Sequence, residues 1–309
     1  MKGPLFYSKI LLFGEYGIIK DSKGLSIPYN FYNGALKTDK NLSEVALKSN
    51  ESLKRFVVYL QKIDSKLVTF DFDKLQANVS QGMYFDSSIP QGYGVGSSGA
   101  LVAAIYDKYA FDKITVLENL TREKLLKLKA IFSEMESFFH GKSSGLDPLN
   151  SYLSIPILIN SQDNIEATGI PSQNNQGKNA VFLLDSGVIG ETAPMVRIFM
   201  ENMKQEGFRK MLITQFIKHT DACVDDFLKG DVKSLFKNTK RLSKVVLNHF
   251  KPMIPQQFHE LWKKGIESND YYLKLCGSGG GGYILGFTED IEKAKNALKD
   301  YRLEVVYSF

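Results

Sequence analysis

Four residues could do proton, metal or phosphate chemistry, and each also has a plainer reading: Lys9, Ser98, Glu136 and Asp147. Lys9 stands just before the apolar run Ile10 to Phe13, where it is either a solvated strand end or a cation reaching into a cleft. Glu136 lies at the edge of an apolar helical stripe, about 60° from its centre at the helical period. It is either a surface flank or a carboxylate aimed inward. Asp147 is delivered by the glycine- and serine-rich stretch GKSSGL and followed by Pro148. Its plainer reading is the cap of a short helix that has proline at its first position.

Ser98 belongs to the stretch around which the chain is organised, IPQGYGVGSSGALVAAIYDKY at Ile89 to Tyr109. Gly92, Gly94 and Gly96 alternate there and can adopt backbone conformations denied to other residues, so peptide N–H groups can converge on an anion. Ser97 or Ser98 then supplies an N-cap. Leu101, Val102, Ile105, Tyr106 and Tyr109 continue at helical spacing, which directs the positive end of a helix dipole at whatever the loop holds. That arrangement suits phosphate. The stretch is neither a P-loop, since no lysine follows the glycines in the required order, nor the dinucleotide fingerprint. A tight strand-to-helix turn that needs glycine only for packing remains the alternative.

The elements that must position these residues follow from periodicity. Tyr7 to Ile19 reads as a strand and turn with Glu15 and Tyr16 at its polar tip, and Gly24 to Tyr32 as a second strand. Leu67 to Phe72 and Leu75 to Phe85 read as a hairpin leading into the glycine loop, so that only β structure precedes the first helix. A helix capped by Thr121 carries Leu125, Leu128, Phe132, Met135 and Phe139 on one face and breaks at His140 and Gly141. Strands at Ile155 to Asn160 and Ala180 to Leu184 follow, the latter ending in Asp185-Ser186-Gly187. The polar stretch between them is a surface loop and places a domain cut, giving 1–175 and 176–309. Helices at Ala193 to Met203, Phe208 to Leu228 and Val232 to Phe250 come next. The chain closes with a strand, the glycine run Gly279 to Gly282, a second strand, a helix from Ile291 and a last strand at Leu303 to Tyr307. This is a ferredoxin-like half.

Composition excludes several classes. With 309 residues, 43% hydrophobic and 12% aromatic, a packed core is assured. A net charge of +5, from 39 Lys and Arg against 34 Asp and Glu without a long basic block, favours small anionic ligands over nucleic acid. Cys223 and Cys276 form no C-x-x-C pair, which suits a reducing cytoplasm and suggests neither disulfide nor zinc. His219, His249 and His259 lack a metal-ligand partner at helical spacing. No signal peptide is evident, and no run reaches the ~18 apolar residues of a membrane helix. The expectation is a cytoplasmic protein with no membrane partner; the residues leave the oligomeric state open, a homodimer being one option.

Three stretches occur in order: KILLFGEYGII at Lys9 to Ile19, PQGYGVGSSGA at Pro90 to Ala100, and KLCGSGGGGYI at Lys274 to Ile284. Together they resemble the GHMP kinase superfamily. With HGKSSGLDP at His140 to Pro148, the set looks most like the mevalonate kinase branch. The resemblance implies a two-domain α+β fold, an α/β sandwich. Its N-terminal domain is of the ribosomal-protein-S5 domain 2-like type, its C-terminal domain is ferredoxin-like, and ATP and an alcohol meet in the cleft between the halves.

It also implies roles. Gly92, Gly94, Gly96, Ser97 and Ser98 would wrap the ATP phosphates, and Ser98 and Glu136 would hold Mg2+. Asp147 would take the acceptor hydroxyl proton with Lys9 beside it. Glu15, Tyr16, Gly277, Ser278 and Gly279 would line the site of a small mevalonate-like alcohol. Tyr16 stands where relatives usually carry histidine, and Gly99 where alanine is common. Phosphomevalonate kinase, a sugar kinase and a non-catalytic nucleotide or metabolite sensor are the competing readings.

Overall fold

The opening apolar run forms strand β1 (Phe6–Phe13), in which Ile10, Leu12 and Phe13 are fully buried. The computed structural model describes residues 4–116, 119–174 and 176–309. They form two compact units that alternate along the chain. Unit 1 takes the residues up to Lys9, Ile27–Pro90 and Gly96–Ile155, and unit 2 takes Ile10–Ser26, Gln91–Val95 and Pro156–Phe309. Strand β1 and the long strand β2 (Gly24–Thr38) each run from one unit into the other, as does the glycine loop between Val95 and Gly96.

In unit 1 the later part of β2 pairs antiparallel with β3 (Met83–Ser87), with Gly34 opposite Ser87 and Thr38 opposite Met83. Two helices precede β3, α1 (Glu44–Leu60) and α2 (Phe72–Ser80). They overturn the expected hairpin and the absence of helix before the glycine loop. Ser43 caps α1 by accepting from the Ala46 N–H, and Leu53, Phe56, Val57 and Leu60 recur at helical spacing on its buried face. Asp71 likewise caps α2. Phe72, Leu75 and Val79 are three and four residues apart, a helical interval that the alternating strand reading passed over. Inside, the Asn50 amide donates to the carbonyls of Val79 and Met83 at 2.8 and 2.7 Å, joining α1 to the end of α2 and the start of β3.

The rest of unit 1 comprises α3 (Ser97–Tyr109), α4 (Arg122–His140) and α5 (Leu146–Leu153). Helix α3 is buried on almost every side, which accounts for its near absence of charge. Thr121 caps α4 through the Lys124 N–H, and Gly141 ends it.

In unit 2 the first residues of β2, Gly24 to Ser26, pair with β4 (Ile157–Ser161), which in turn pairs with β5 (Asn164–Ala167). A second antiparallel sheet contains β6 (Ala180–Asp185), β7 (Tyr272–Leu275), β8 (Tyr283–Thr288) and β9 (Leu303–Ser308) in the order β7-β8-β6-β9. Its strands β6, β7 and β8 are buried almost throughout. The helices of this unit are α6 (Thr192–Asn202), α7 (Glu206–Met211), α8 (Lys218–Lys229), α9 (Val232–His249), α10 (His259–Ser268) and α11 (Ile291–Ala297). Trp262 on α10 is fully buried, and its indole N–H donates to the Ser243 carbonyl on α9 at 3.1 Å. Among the described residues no helix is long and apolar enough to cross a membrane.

Candidate functional site

Unit 1 gathers Lys9, Ser98, Glu136 and Asp147. Lys9 is buried, with 4% of its side chain exposed, and its ammonium lies 2.8 Å from Asp147 Oδ1. An isolated buried ammonium costs several kcal/mol, so the partner carboxylate is what allows a lysine in this strand. Asp147 sits in the first turn of α5, whose N-cap is Gly145 in the left-handed conformation and not Asp147. Pro148 is accordingly the third helical residue. The carboxylate thus lies at the positive end of the helix as well as beside the ammonium.

Helix α3 begins beside this pair. Its N-cap is Gly96, at φ 81°, with no side-chain cap, in place of the expected Ser97 or Ser98 cap. The first N–H groups of α3 are therefore not consumed by a capping side chain, as an anion-binding helix terminus requires. A Cβ on Gly96 would lie 3.1 Å from Lys9 Cγ and 3.2 Å from Lys9 Cε, so glycine brings the backbone against the Lys9 stem. Gly99 has the same purpose one turn on. Its Cβ would stand 2.7 Å from the Asp147 carbonyl carbon, leaving no space for an alanine methyl between α3 and α5.

Glu136 is 3% exposed and therefore not a surface flank. Ser98 Oγ donates to its Oε1 at 2.9 Å, and Ser143 Oγ donates to its Oε2. His140 Nε2 lies 3.0 Å from Ser98 Oγ. Burial, and then the charge of Asp147, push the Glu136 carboxyl well above the usual glutamate range, while the two serine hydrogen bonds and Lys9 pull the other way. Among the described residues no group of three or more His, Cys, Asp or Glu forms a metal cage. One hydroxyl and one carboxylate in contact nevertheless fit a hard cation that draws its remaining ligands from phosphate and water, as Mg2+ does.

Gly96 and Ser97 also belong to unit 1, and unit 2 holds Gly92, Gly94, Glu15, Tyr16, Gly277, Ser278 and Gly279. Gly92 and Gly94 have φ of 75° and 77°, and a Cβ on Gly94 would lie 2.6 Å from the Cys276 carbonyl oxygen. Gly277 packs on Gly94 in turn. Between these glycine segments runs the turn after β6, from Ser186 to Thr192. The Gly190 N–H donates to the Gly92 carbonyl at 2.9 Å, the Gly282 N–H to Val188, and the Ser186 N–H to Gly282. Sequence reasoning saw this turn only as a strand end; Asp-Ser-Gly followed by Gly190 was its available signal.

Tyr16 adopts φ 59° and ψ −38°, stacks on Phe199 at 4.7 Å, and donates its hydroxyl to the Ser278 carbonyl at 2.7 Å. Burial, reinforced by the charge of Glu15, raises its pKa well above that of ordinary tyrosine, so it remains a donor at any physiological pH. Glu15 is held by Lys274, Nζ to Oε1 at 2.5 Å, with 5% and 3% of the two side chains exposed. Lys274 also donates to the Leu275 carbonyl at 2.8 Å. The sequence carried Lys274 only as the first letter of the third glycine motif.

Residues 56–154 match the family described as GHMP kinases N terminal domain. No curated protein sequence matches the chain. Among solved structures, L. major mevalonate kinase in complex with R-mevalonate is similar at TM-score 0.62 and 16% identity, over 97% of this chain and 93% of that one. Methanococcus jannaschii mevalonate kinase is similar at 0.61 and 18%, over 99% and 98%. Streptococcus pneumoniae phosphomevalonate kinase in complex with phosphomevalonate and AMPPNP is similar at 0.64 and 13%, over 98% of each chain. Residues 56–154 thus match a GHMP kinase N-terminal domain, and nearly the whole chain shares the fold of these mevalonate and phosphomevalonate kinases.

Proposed function

We propose that this protein transfers the γ-phosphoryl group of ATP to the primary hydroxyl of a small alcohol, with mevalonate as acceptor and 5-phosphomevalonate as product. The observation that carries the reading is the buried Lys9 ammonium 2.8 Å from Asp147, beside a helix N-terminus without a side-chain cap. A nucleotide- or metabolite-binding sensor would use the glycine loop but has no need of a lysine-held carboxylate. Phosphoryl transfer has little covalent chemistry for a protein to perform and depends on positioning and charge.

In this reading Asp147 accepts the acceptor hydroxyl proton, and the Lys9 ammonium beside it favours the developing alkoxide. Gly92, Gly94, Gly96, Ser97 and Ser98 cradle the phosphates with backbone N–H groups and hydroxyls. Ser98 and Glu136 would hold Mg2+, which when bound neutralises phosphate charge. Glu15, Tyr16, Gly277, Ser278 and Gly279 form the acceptor side. The lysine-to-isoleucine stretch of the first motif supports mevalonate over a sugar.

The test is release of ADP by the purified protein with ATP and magnesium against mevalonate, phosphomevalonate and a panel of sugars. Turnover with mevalonate alone is the expected result. Turnover only with phosphomevalonate, the acceptor bound to the pneumococcal neighbour, would keep the chemistry and reassign the substrate. Tight ATP binding without turnover on any acceptor would overturn the kinase reading.

A further inference from the structure

The link between α4 and α5 is held by serines whose purpose the proposed roles do not cover. Ser133 and Ser137 lie one turn apart on α4. Ser133 Oγ donates to the Ser143 carbonyl at 2.5 Å, and the Ser143 N–H donates to Ser137 Oγ at 3.2 Å. Both backbone groups of Ser143 are thus fixed to the helix that carries Glu136. Its side chain is fixed too. The Gly145 N–H donates into Ser143 Oγ at 3.0 Å, and the single hydroxyl proton goes to Glu136 Oε2.

The consequence for Glu136 is geometric. Its Oε1 accepts from Ser98 and its Oε2 from Ser143, so the carboxylate plane is set at both oxygens inside a pocket that water scarcely enters. A glutamate terminal torsion is otherwise broad, and one hydrogen bond alone leaves the group free to turn about the bonded oxygen. The same Ser143 oxygen is tied to the N-cap of the helix whose first turn bears Asp147. One hydroxyl therefore couples the orientation of the carboxylate on α4 to the start of α5.

We infer that Ser143 is a positioning residue for the metal-binding carboxylate, its hydroxyl presenting Glu136 to Mg2+ in a fixed orientation and in register with Asp147. This rests on the kinase reading, in which Glu136 meets the metal. Partners that orient a metal ligand from behind typically contribute 10- to 100-fold in metal affinity.

The experiment measures Mn2+ binding, as a spectroscopic stand-in for Mg2+, by electron paramagnetic resonance on the full chain with a non-hydrolysable ATP analogue. Wild type is compared with Ser143→Ala and Ser143→Thr, alongside calorimetric affinity for the metal-free analogue and the thermal midpoint. Ser143→Ala is expected to weaken Mn2+ at least ~10-fold while metal-free nucleotide affinity stays within about threefold, and Ser143→Thr, which keeps the donor, to restore most of the metal affinity. Unchanged Mn2+ affinity in Ser143→Ala overturns the inference, and so does an equal loss in metal-free nucleotide affinity, which marks a general scaffold. Should Ser143→Ala fail to fold, Ser143→Cys, nearly isosteric with a weak donor, is read by the same criteria. If wild type itself binds no metal–nucleotide pair, the kinase reading fails and not the role of Ser143 within it.

Discussion

Lys9 Nζ lies 2.8 Å from Asp147 Oδ1, and the two differ sharply in setting: 4% of the lysine side chain is exposed against 36% of the aspartate. The cation is sealed in and its partner is open on one side, as the proposed role of base requires. Asp147→Asn keeps an acceptor for Lys9 but removes the basic oxygen. Turnover should fall at least ~100-fold with nucleotide affinity retained. Steady-state kinetics beside calorimetric nucleotide binding checks this, and full turnover would remove Asp147 from the role of base.

In the proposed reading Glu136 links metal and pH. Its carboxyl is raised by burial and by Asp147, so the folded state binds the proton more tightly than the unfolded chain. The resulting stability is fully present below the unfolded carboxyl value and is lost as pH rises through the raised folded one. Metal-free wild type should therefore lose stability across the interval above 4.5, the group's ordinary value, and Glu136→Gln should lack that slope. Thermal midpoints of both proteins against pH test it. The same variant should need more magnesium for turnover, and superimposable magnesium titrations would count against ligation by Glu136.

Glu15 and Lys274 are both buried and separated by 259 residues in sequence. Lys274→Met leaves a buried carboxylate without its cation, a loss of about 3–5 kcal/mol for such pairs. Adding Glu15→Gln should recover a large part of it, because the penalty lies in the orphaned charge. Denaturant unfolding of the single and double variants gives the coupling, and strict additivity would mean that the two side chains act independently.

Gly99→Ala places a methyl 2.7 Å from the Asp147 carbonyl carbon and 2.8 Å from the Pro148 nitrogen, backbone atoms that yield only if α5 moves. Overpacking of this kind costs about 1–3 kcal/mol. Turnover should drop further than nucleotide affinity, since α5 carries Asp147. A variant with the wild-type thermal midpoint and kinetics would show that α5 accommodates the methyl.

Tyr16→Phe removes the hydroxyl given to the Ser278 carbonyl, at a cost of about 1 kcal/mol. With that hydroxyl already engaged, Tyr16 braces the third glycine segment, and its loss should raise the acceptor KM while leaving nucleotide affinity unchanged. An effect confined to nucleotide binding would assign Tyr16 elsewhere.

Features written in neighbouring residues were legible in the sequence. The glycine loop leading into α3, the Thr121 cap of α4 and the closing order β7, β8, α11, β9 each depend on signals within a few positions. Helix α1 was passed over, and α2 was read as strand because Leu75 to Phe85 offers scattered apolar residues that suit a strand until Asp71 is recognised as a cap. The missing parts of the site were long-range. Nothing near Lys274 announces Glu15, and nothing near Gly190 announces Gly92. Ser143 was hidden differently: its value lies in which atom receives its proton, and a run of small polar residues does not disclose that.

The alternation of the two units along the chain sets an order of assembly during synthesis. Unit 1 is complete in sequence at Ile155, whereas unit 2 includes Ile10–Ser26 and Gln91–Val95 but awaits strands that end near the last residue. On the ribosome Glu15 emerges long before Lys274, and a carboxylate destined for burial must remain in water until the partner strand arrives. Closing so long a loop is slow, and the apolar half of β1 stays open meanwhile. The nascent chain is most vulnerable to aggregation in that interval, and a truncation just before Tyr272 would hold it there.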